Sequence, residues 1–286
     1  MTGAAGFIGS HVSRRLIADG HAVTAFDQAE PTTTRAPWIR GDLRDSEAVD
    51  AAVAGNDVVC HVGAIGDVYL AAEQPMLASE VNVTGSAHVA AAAAHHGARV
   101  IYASTWEVYG PPTYEPIDED HPCSPDHPYN ITKLAGERMI LSAGRLHGIS
   151  VLALRLGTAY GSGLRPNSVF RLFIDRARRG DPITVQGDGS QSRQFTHASD
   201  IARAFSLACE SSIGNIALNI VASEPVTIKE LADTIVARYP TELTFGPGRP
   251  GDVAPALVSA ERARDMLGWR AEKPFAEGLG ELMDGS

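Results

Sequence analysis

Short apolar runs and longer amphipathic stretches take turns along the first half of the chain, and that alternation is the plainest signal in the sequence. Apolar positions at helical spacing predict a helix over Phe7 to Ala18, closed by Gly20, and His21 to Phe26 reads as a short buried strand. A polar loop, Gln28 to Pro37, leads to a strand around Trp38 to Leu43. Ser46 to Ala54 then predicts a helix, and Asp57 to Ala64 an apolar strand running into small residues. The pattern repeats as a long helix over Pro75 to His96 ended by Gly97, a strand over Arg99 to Ala103, a helix over Pro128 to His147 and a strand over Val151 to Leu156. Strands alternating with helices predict a parallel, doubly wound sheet.

After Leu156 Gly and Pro become dense and the regularity breaks, which places a domain change near Gly157. Helices over Val169 to Arg179, Ser199 to Cys209 and Ile228 to Tyr239, a polar turn at Gly187 to Gln194, a strand at Ala217 to Val221 and two short C-terminal helices follow. The expected division is residues 1–157, with about 197–222 returning to them, and a smaller C-terminal α/β substrate domain of 158–196 and 223–286.

The first nine residues, Met1 to Gly9, carry a Gly-x-x-Gly-x-x-Gly run that opens straight into the first helix. Gly3 and Gly6 let the backbone bend and approach a pyrophosphate, and Gly9 lets the helix pack on its strand. The free N–H groups of the first helical turn, at Phe7 and Ile8, favour negative charge. Asp27 ends the next strand about 20 residues on, where an acid bonds a ribose 2′-OH and repels a 2′-phosphate. Together these predict a Rossmann-type fold with NAD as cofactor. Asp42 and Leu43 are placed to flank the adenine, while Val62, Gly63 and Ala64 leave room for the dinucleotide. One feature is out of pattern: only Met1 and Thr2 precede the turn, where a central strand of about five or six residues belongs. The expectation is that the productive chain starts upstream of Met1, or that the chain as it stands is poorly stable.

Composition narrows the partners. A chain of 286 residues with 44% hydrophobic content can bury a large core, and a formal charge of −10 argues against nucleic acid or an anionic membrane. With Lys only at 133, 229 and 273, an anionic small molecule has to be held by Arg and backbone N–H groups. Cys60, Cys123 and Cys209 are odd in number and far apart, which fits a reducing cytoplasm; no signal peptide or membrane span is expected.

Tyr129 and Lys133 stand four residues apart, on one face of a predicted helix. A Tyr acting as base near pH 7 needs its pKa lowered by about 3 units, or about 4 kcal/mol. An ammonium at about 5 Å supplies about 3 kcal/mol at an effective dielectric near 20, and a cationic nicotinamide could supply the rest.

With these residues in place the chain resembles the extended short-chain dehydrogenase/reductase superfamily, in its NAD-dependent epimerase/dehydratase branch acting on nucleotide sugars. The resemblance rests on the glycine run, Asp27, Asp42-Leu43, Ser104 to Gly110, Tyr129-x-x-x-Lys133, Arg155 to Gly161, Gly187 to His197 and Arg249 to Asp252. It implies that Thr105 bonds Tyr129 and the sugar oxygen, that Lys133 also bonds the ribose, and that Arg193 and Arg249 grip the diphosphate. It also implies a homodimer through the Pro75 to His96 and Pro128 to His147 helices. The chain departs from the family pattern at several points. Trp106 stands where dehydratases have an acid, while Glu107 is retained as in the decarboxylases. Gly157-Thr158 replaces a frequent Phe-Asn, so Thr158 takes the diphosphate position with a single donor, and Gly63 replaces an Ala. The reading is an NAD-dependent epimerase that transiently oxidises sugar C4, with Thr105, Tyr129, Lys133 and Glu107 as the catalytic set. Decarboxylase, dehydratase and oxidoreductase are the alternatives, with a catalytically silent NAD-binding regulator from another class. No metal site is expected: Asp118 to His127 reads as a Pro-broken acidic loop, and His95 and His96 as a helix C-terminal interaction.

Overall fold

The structure, a computed structural model, describes residues 1–248 and 256–285. Its parallel sheet contains β1 (Ala25–Asp27), β2 (Trp38–Arg40), β3 (Val58–His61), β4 (Arg99–Thr105) and β5 (Val151–Leu156), with Ile216–Ile220 beyond β5. Met1 to Gly3 lies between β1 and β3 and joins the two halves. Thr2 N–H donates to Cys60 O at 3.0 Å and Val62 N–H to Thr2 O at 3.4 Å, while Phe26 N–H donates to Met1 O at 2.8 Å and Gly3 N–H to Phe26 O at 3.0 Å. The strand expected over His21 to Phe26 is confined to Ala25–Asp27, the stretch for which Met1 to Gly3 and β2 supply partners.

The chain builds outward from this central segment through β1 to β2, then returns to its other side for β3, β4 and β5. That reversal opens a crevice at the carboxyl ends of the strands, where ligands bind in such sheets. β5 shows how both faces are filled: Leu152, Leu154 and Leu156 join Val12, Leu16 and Phe205 in one core, and Val151 and Ala153 join Val89, Tyr102 and Ile140 in the other. Successive residues of a strand point to opposite faces, so a strand apolar throughout needs helices on both.

A third core gathers Tyr160, Phe170, Phe173, Phe195, Leu231 and Leu279 beyond the sheet. Trp269, expected in the second domain, packs instead with Phe205 in the first core, its indole N–H donating to Asp200 O at 2.8 Å.

The helix expected over Pro75 to His96 is interrupted. A π turn at Glu80–Thr84 separates Pro75–Ser79 from Gly85–His96. The turn meets helix Pro128–His147 where neither has bulk: a Cβ on Gly136 would come within 2.6 Å of Asn82 O and of the Tyr102 hydroxyl oxygen. Single π turns of this kind recur at functional sites.

Gly136→Ala is therefore expected to destabilise the protein by about 1–3 kcal/mol in urea titration through overpacking. Gly280→Ala, in helix Phe275–Gly285 with open space around it, is expected to be neutral or to stabilise by about 0.5–1 kcal/mol. Equal effects at the two positions would remove the packing explanation.

Candidate active site

The glycine turn is locked by close backbone approach. Gly3 has φ +69°, and a Cβ on it would come within 2.5 Å of Gly63 N, so the turn and the end of β3 meet only because both residues lack side chains. A Cβ on Gly6 would meet Gly3 O alone, at 3.3 Å, leaving that side roomy. Helix Phe7–Ala18 starts at Gly6 without a side-chain cap, the arrangement that suits a pyrophosphate on the N–H groups of Phe7 and Ile8. Asp27 ties the turn to β1: its Oδ2 accepts Ala5 N–H at 2.9 Å and its Oδ1 accepts Ala29 N–H at 3.1 Å. Asp42 is paired with Arg44 at 2.6 Å, and Leu43 is buried, its side chain lying where a Cβ on Gly63 would project. These residues fit a dinucleotide.

Behind the turn runs a buried hydrogen-bond chain with a single consistent proton arrangement. Gly63 N–H donates to Thr2 Oγ1 at 3.1 Å, and Thr2 Oγ1 lies 2.7 Å from His61 Nδ1. Ser86 Oγ donates to Asn82 O at 2.6 Å, which leaves its oxygen to accept from His61 Nε2 at 3.1 Å. His61 is thus neutral with its proton on Nε2 and Nδ1 accepting from Thr2. Burial, reinforced by Lys133, holds its pKa down at about 3.

Helix Pro128–His147 begins at His127, whose Nδ1 accepts Tyr129 N–H at 3.2 Å, with Pro128 in the first turn. Asn82 Nδ2 donates to Thr132 Oγ1 at 3.0 Å, and Thr132 Oγ1 donates to Tyr129 O at 2.9 Å, so the π turn helps hold the start of this helix. Lys133 is buried, with its Nζ 4.3 Å from the centre of the Tyr102 ring. Burial pushes its pKa down to about 7, against the pull of the Glu137 carboxylate one turn on. The Tyr129 phenol is pushed up, first by burial and then by Glu107. For the protein alone Lys133 is not among the charges acting on the Tyr129 phenol, and burial sets the direction of both shifts, Tyr129 up and Lys133 down.

Thr105 ends β4 and caps the turn Trp106–Tyr109, its Oγ1 accepting Glu107 N–H at 3.3 Å. Glu107 is pushed up by burial and drawn back by Arg193, so Glu107 is within electrostatic reach of both Tyr129 and Arg193. Trp106 is buried with Tyr109, Ile117, Val221 and Val258, an apolar cluster that offers no acid. Thr158 lies in the strand Thr158–Tyr160, paired with Phe195–His197 just past Arg193. Arg249 lies outside the described residues.

Sequence reading missed the network beneath these groups. Glu137 accepts from Ser104 Oγ at 2.5 Å, Arg155 Nε at 3.1 Å and Arg155 Nη2 at 2.6 Å. Arg155 Nη1 donates to the Tyr109 hydroxyl at 2.8 Å, which donates to Asn219 Oδ1 at 2.8 Å. Glu137 stands one helical turn after Lys133, and Arg155 opens the Arg155 to Gly161 run; those positions were the available signal. The Asp118 to His127 segment splits among separate partners: Asp118 accepts from the Tyr114 hydroxyl, Glu119 from Asn219 N–H, and His121 Nε2 from Thr113 N–H.

The chain belongs to the NAD dependent epimerase/dehydratase family, whose family model matches residues 1–220. It is 30% identical to a putative UDP-glucose 4-epimerase of Methanocaldococcus jannaschii, over 99% of this chain and 96% of that protein. Its fold matches the crystal structure of Thermotoga maritima UDP-glucose 4-epimerase with UDP-glucose at a TM-score of 0.93 and 27% identity, covering 99% of this chain and 96% of that one. MoeE5 in complex with UDP-glucose and NAD matches at a TM-score of 0.92 and 33% identity, with the same coverage. The Rossmann-type α/β fold and NAD as cofactor follow for this chain. No helix among the described residues is long and apolar enough to cross a membrane.

The neutral, buried His61 sets a pH dependence. Its folded pKa lies below the unfolded value of about 6.5, so its contribution to stability is complete above that pH and is lost as the pH falls toward about 3. Unfolding free energies from urea titration between about pH 7 and 4 should fall more steeply for the wild type than for His61→Asn, by at most about 1.4 kcal/mol per pH unit. Equal slopes would show that His61 is protonated or solvated in the fold.

Proposed function

We propose that the chain is an NAD-dependent nucleotide-sugar epimerase that acts by transient oxidation at sugar C4. The observation that carries this reading is Trp106. Loss of water from C5 and C6 requires an acid for the departing hydroxyl, and indole has no proton to give near neutral pH. Packed among Tyr109, Ile117, Val221 and Val258, Trp106 leaves Glu107 as the carboxyl group of its turn. Exchange of hydride at C4 needs neither group.

The glycine turn, Phe7, Ile8, Asp27, Asp42, Leu43 and Val62 to Ala64 would hold the dinucleotide. When bound, NAD supplies a reversible hydride acceptor and a positive charge near Tyr129. Tyr129 takes the C4 hydroxyl proton, Thr105 orients that hydroxyl, and Lys133 bonds the ribose and favours the phenolate. The keto sugar then turns over and receives its proton from Tyr129 on return. Arg193, Thr158 and Arg249 bind the diphosphate, Arg being suited to bidentate phosphate contact. The second domain supplies these groups, and a homodimer forms through helix Pro128–His147, whose Ile131, Met139 and Leu146 are exposed at helical spacing.

Glu107 favours a second reading. A half-buried carboxyl pushed up by desolvation and within electrostatic reach of Tyr129 suits proton chemistry in a uronate decarboxylation.

In heavy water an accepted nucleotide hexose should return its C4 epimer with no deuterium on carbon at C4 or C5. Deuterium at C5 with loss of water would overturn the epimerase, and carbon dioxide from a nucleotide uronate would establish the second reading. Tyr129→Phe should abolish turnover and keep NAD affinity, whereas Lys133→Met should weaken both; equal loss of NAD in the two variants would make Tyr129 structural.

A further inference from the structure

Asp50 lies in helix Ser46–Val53, and His95 and His96 end helix Gly85–His96. The two helices pack together over Val49, Val53, Val89, Ala92 and Ala93 on the face of the sheet that also carries Leu43. The adjacent histidines, expected to serve the carbonyl end of their own helix, turn instead to the neighbouring one. His95 Nδ1 lies 3.0 Å from Asp50 Oδ1, and His96 Nε2 lies 3.2 Å from the same oxygen. Each residue offers a ligand atom, and all of these lie within 4.8 Å of one another.

An ordinary ion pair accounts for His95, which is hydrogen-bonded to Asp50. It also reaches His96, whose Nε2 pairs with the same oxygen, but that nitrogen is shielded from solvent and makes no hydrogen bond there. A hydrogen bond needs the donor aimed at the acceptor, whereas metal ligation needs donor atoms that surround a common point. Zinc with bonds of about 2.0 Å in tetrahedral geometry keeps its ligand atoms about 3.3 Å apart, close to the two Asp50 distances of 3.0 and 3.2 Å. Two imidazoles and one carboxylate are also a donor set that suits zinc better than calcium or magnesium, which prefer oxygen alone.

We propose that Asp50, His95 and His96 form a zinc site, with water completing the coordination, that clamps helix Ser46–Val53 to helix Gly85–His96. The site is separate from the catalytic machinery and does not depend on the reading of the reaction. Its effect is on the stability of the layer that backs Leu43: Gly85, at the start of the second helix, lies so close that a Cβ there would come within 2.8 Å of Leu43 Cβ.

The test uses the full chain with any histidine tag removed, after dialysis against a chelator. Zinc chloride is titrated by calorimetry near neutral pH, and melting is followed with and without zinc. One zinc per chain is expected, with a higher melting temperature. His95→Ala, His96→Ala and Asp50→Asn should each weaken binding about tenfold or more and lose the zinc-dependent rise. The His95 side chain is 69% exposed, so its replacement leaves the fold intact and gives a clean comparison. No binding by the wild type, or binding undiminished in all three variants, would overturn the site; retained zinc that is lost on blocking Cys60 and Cys209 would place the ion elsewhere and overturn it equally.

Discussion

Helix Pro128–His147 is held to the sheet by a buried ion pair, Arg155 with Glu137, and the geometry of the candidate site depends on it. The two side chains are almost wholly removed from solvent, with Nη2 and Oε1 2.6 Å apart. Such a pair is tolerable only if its remaining donors and acceptors are also met, since desolvation can cost more than the attraction returns. Ser104 donates to Glu137 and Tyr109 accepts from Arg155, with Asn219 in turn accepting from the Tyr109 hydroxyl. Each partner adjoins a candidate site residue: Ser104 precedes Thr105, Tyr109 closes the turn that carries Trp106 and Glu107, and Lys133 stands one turn before Glu137. The pair therefore sets the height of helix Pro128–His147 against β5, and the Ser104 bond ties it to β4. It also leaves a carboxylate close enough to keep part of the charge on Lys133.

Close approach is the second constraint, and it is met by omission of side chains. Gly3 against Gly63, Gly85 against Leu43 and Gly136 against Asn82 are places where a Cβ would collide with a neighbour. The π turn at Glu80–Thr84 belongs to the same solution, because Asn82 bonds Ile65 N–H at 2.8 Å and Thr132 at 3.0 Å. One residue thus connects the segment after β3 to helix Pro128–His147. A side chain that bridges three segments fixes their spacing more firmly than apolar contact alone.

Much of this was legible in the sequence, for reasons that mark where legibility stops. Strand and helix order follows from apolar periodicity, and the glycine run and Tyr129-x-x-x-Lys133 follow from spacing along one element. What spacing cannot give is the partner across elements. His61 reads as one more residue in an apolar strand, and Thr2 as a stub before a turn; only the sheet and the helix packed on it place them side by side with Ser86. Glu137 and Arg155 look like ordinary helix and strand charges until the fold buries both. The direction of the Tyr129 and Lys133 shifts is hidden from the sequence for the same reason: Coulomb attraction follows from a spacing, but desolvation depends on what surrounds the groups.

In the protein as folded, burial holds the Tyr129 proton in place and loosens that of Lys133, the reverse of what the proposed chemistry requires. Glu107 adds to the first effect, since a carboxylate beside a phenol opposes its ionisation. A site with these biases is a poor base by default, and it changes character only when cationic charge arrives beside Tyr129 and hydrogen-bond acceptors arrive for Lys133. In the proposed reaction both come with the bound dinucleotide and sugar. The proton step is then conditional on a filled site, because the binding free energy that opposes the two shifts exists only there. A surface Tyr and Lys at the same spacing would lack this coupling: water would already have satisfied both, and binding would have little left to change.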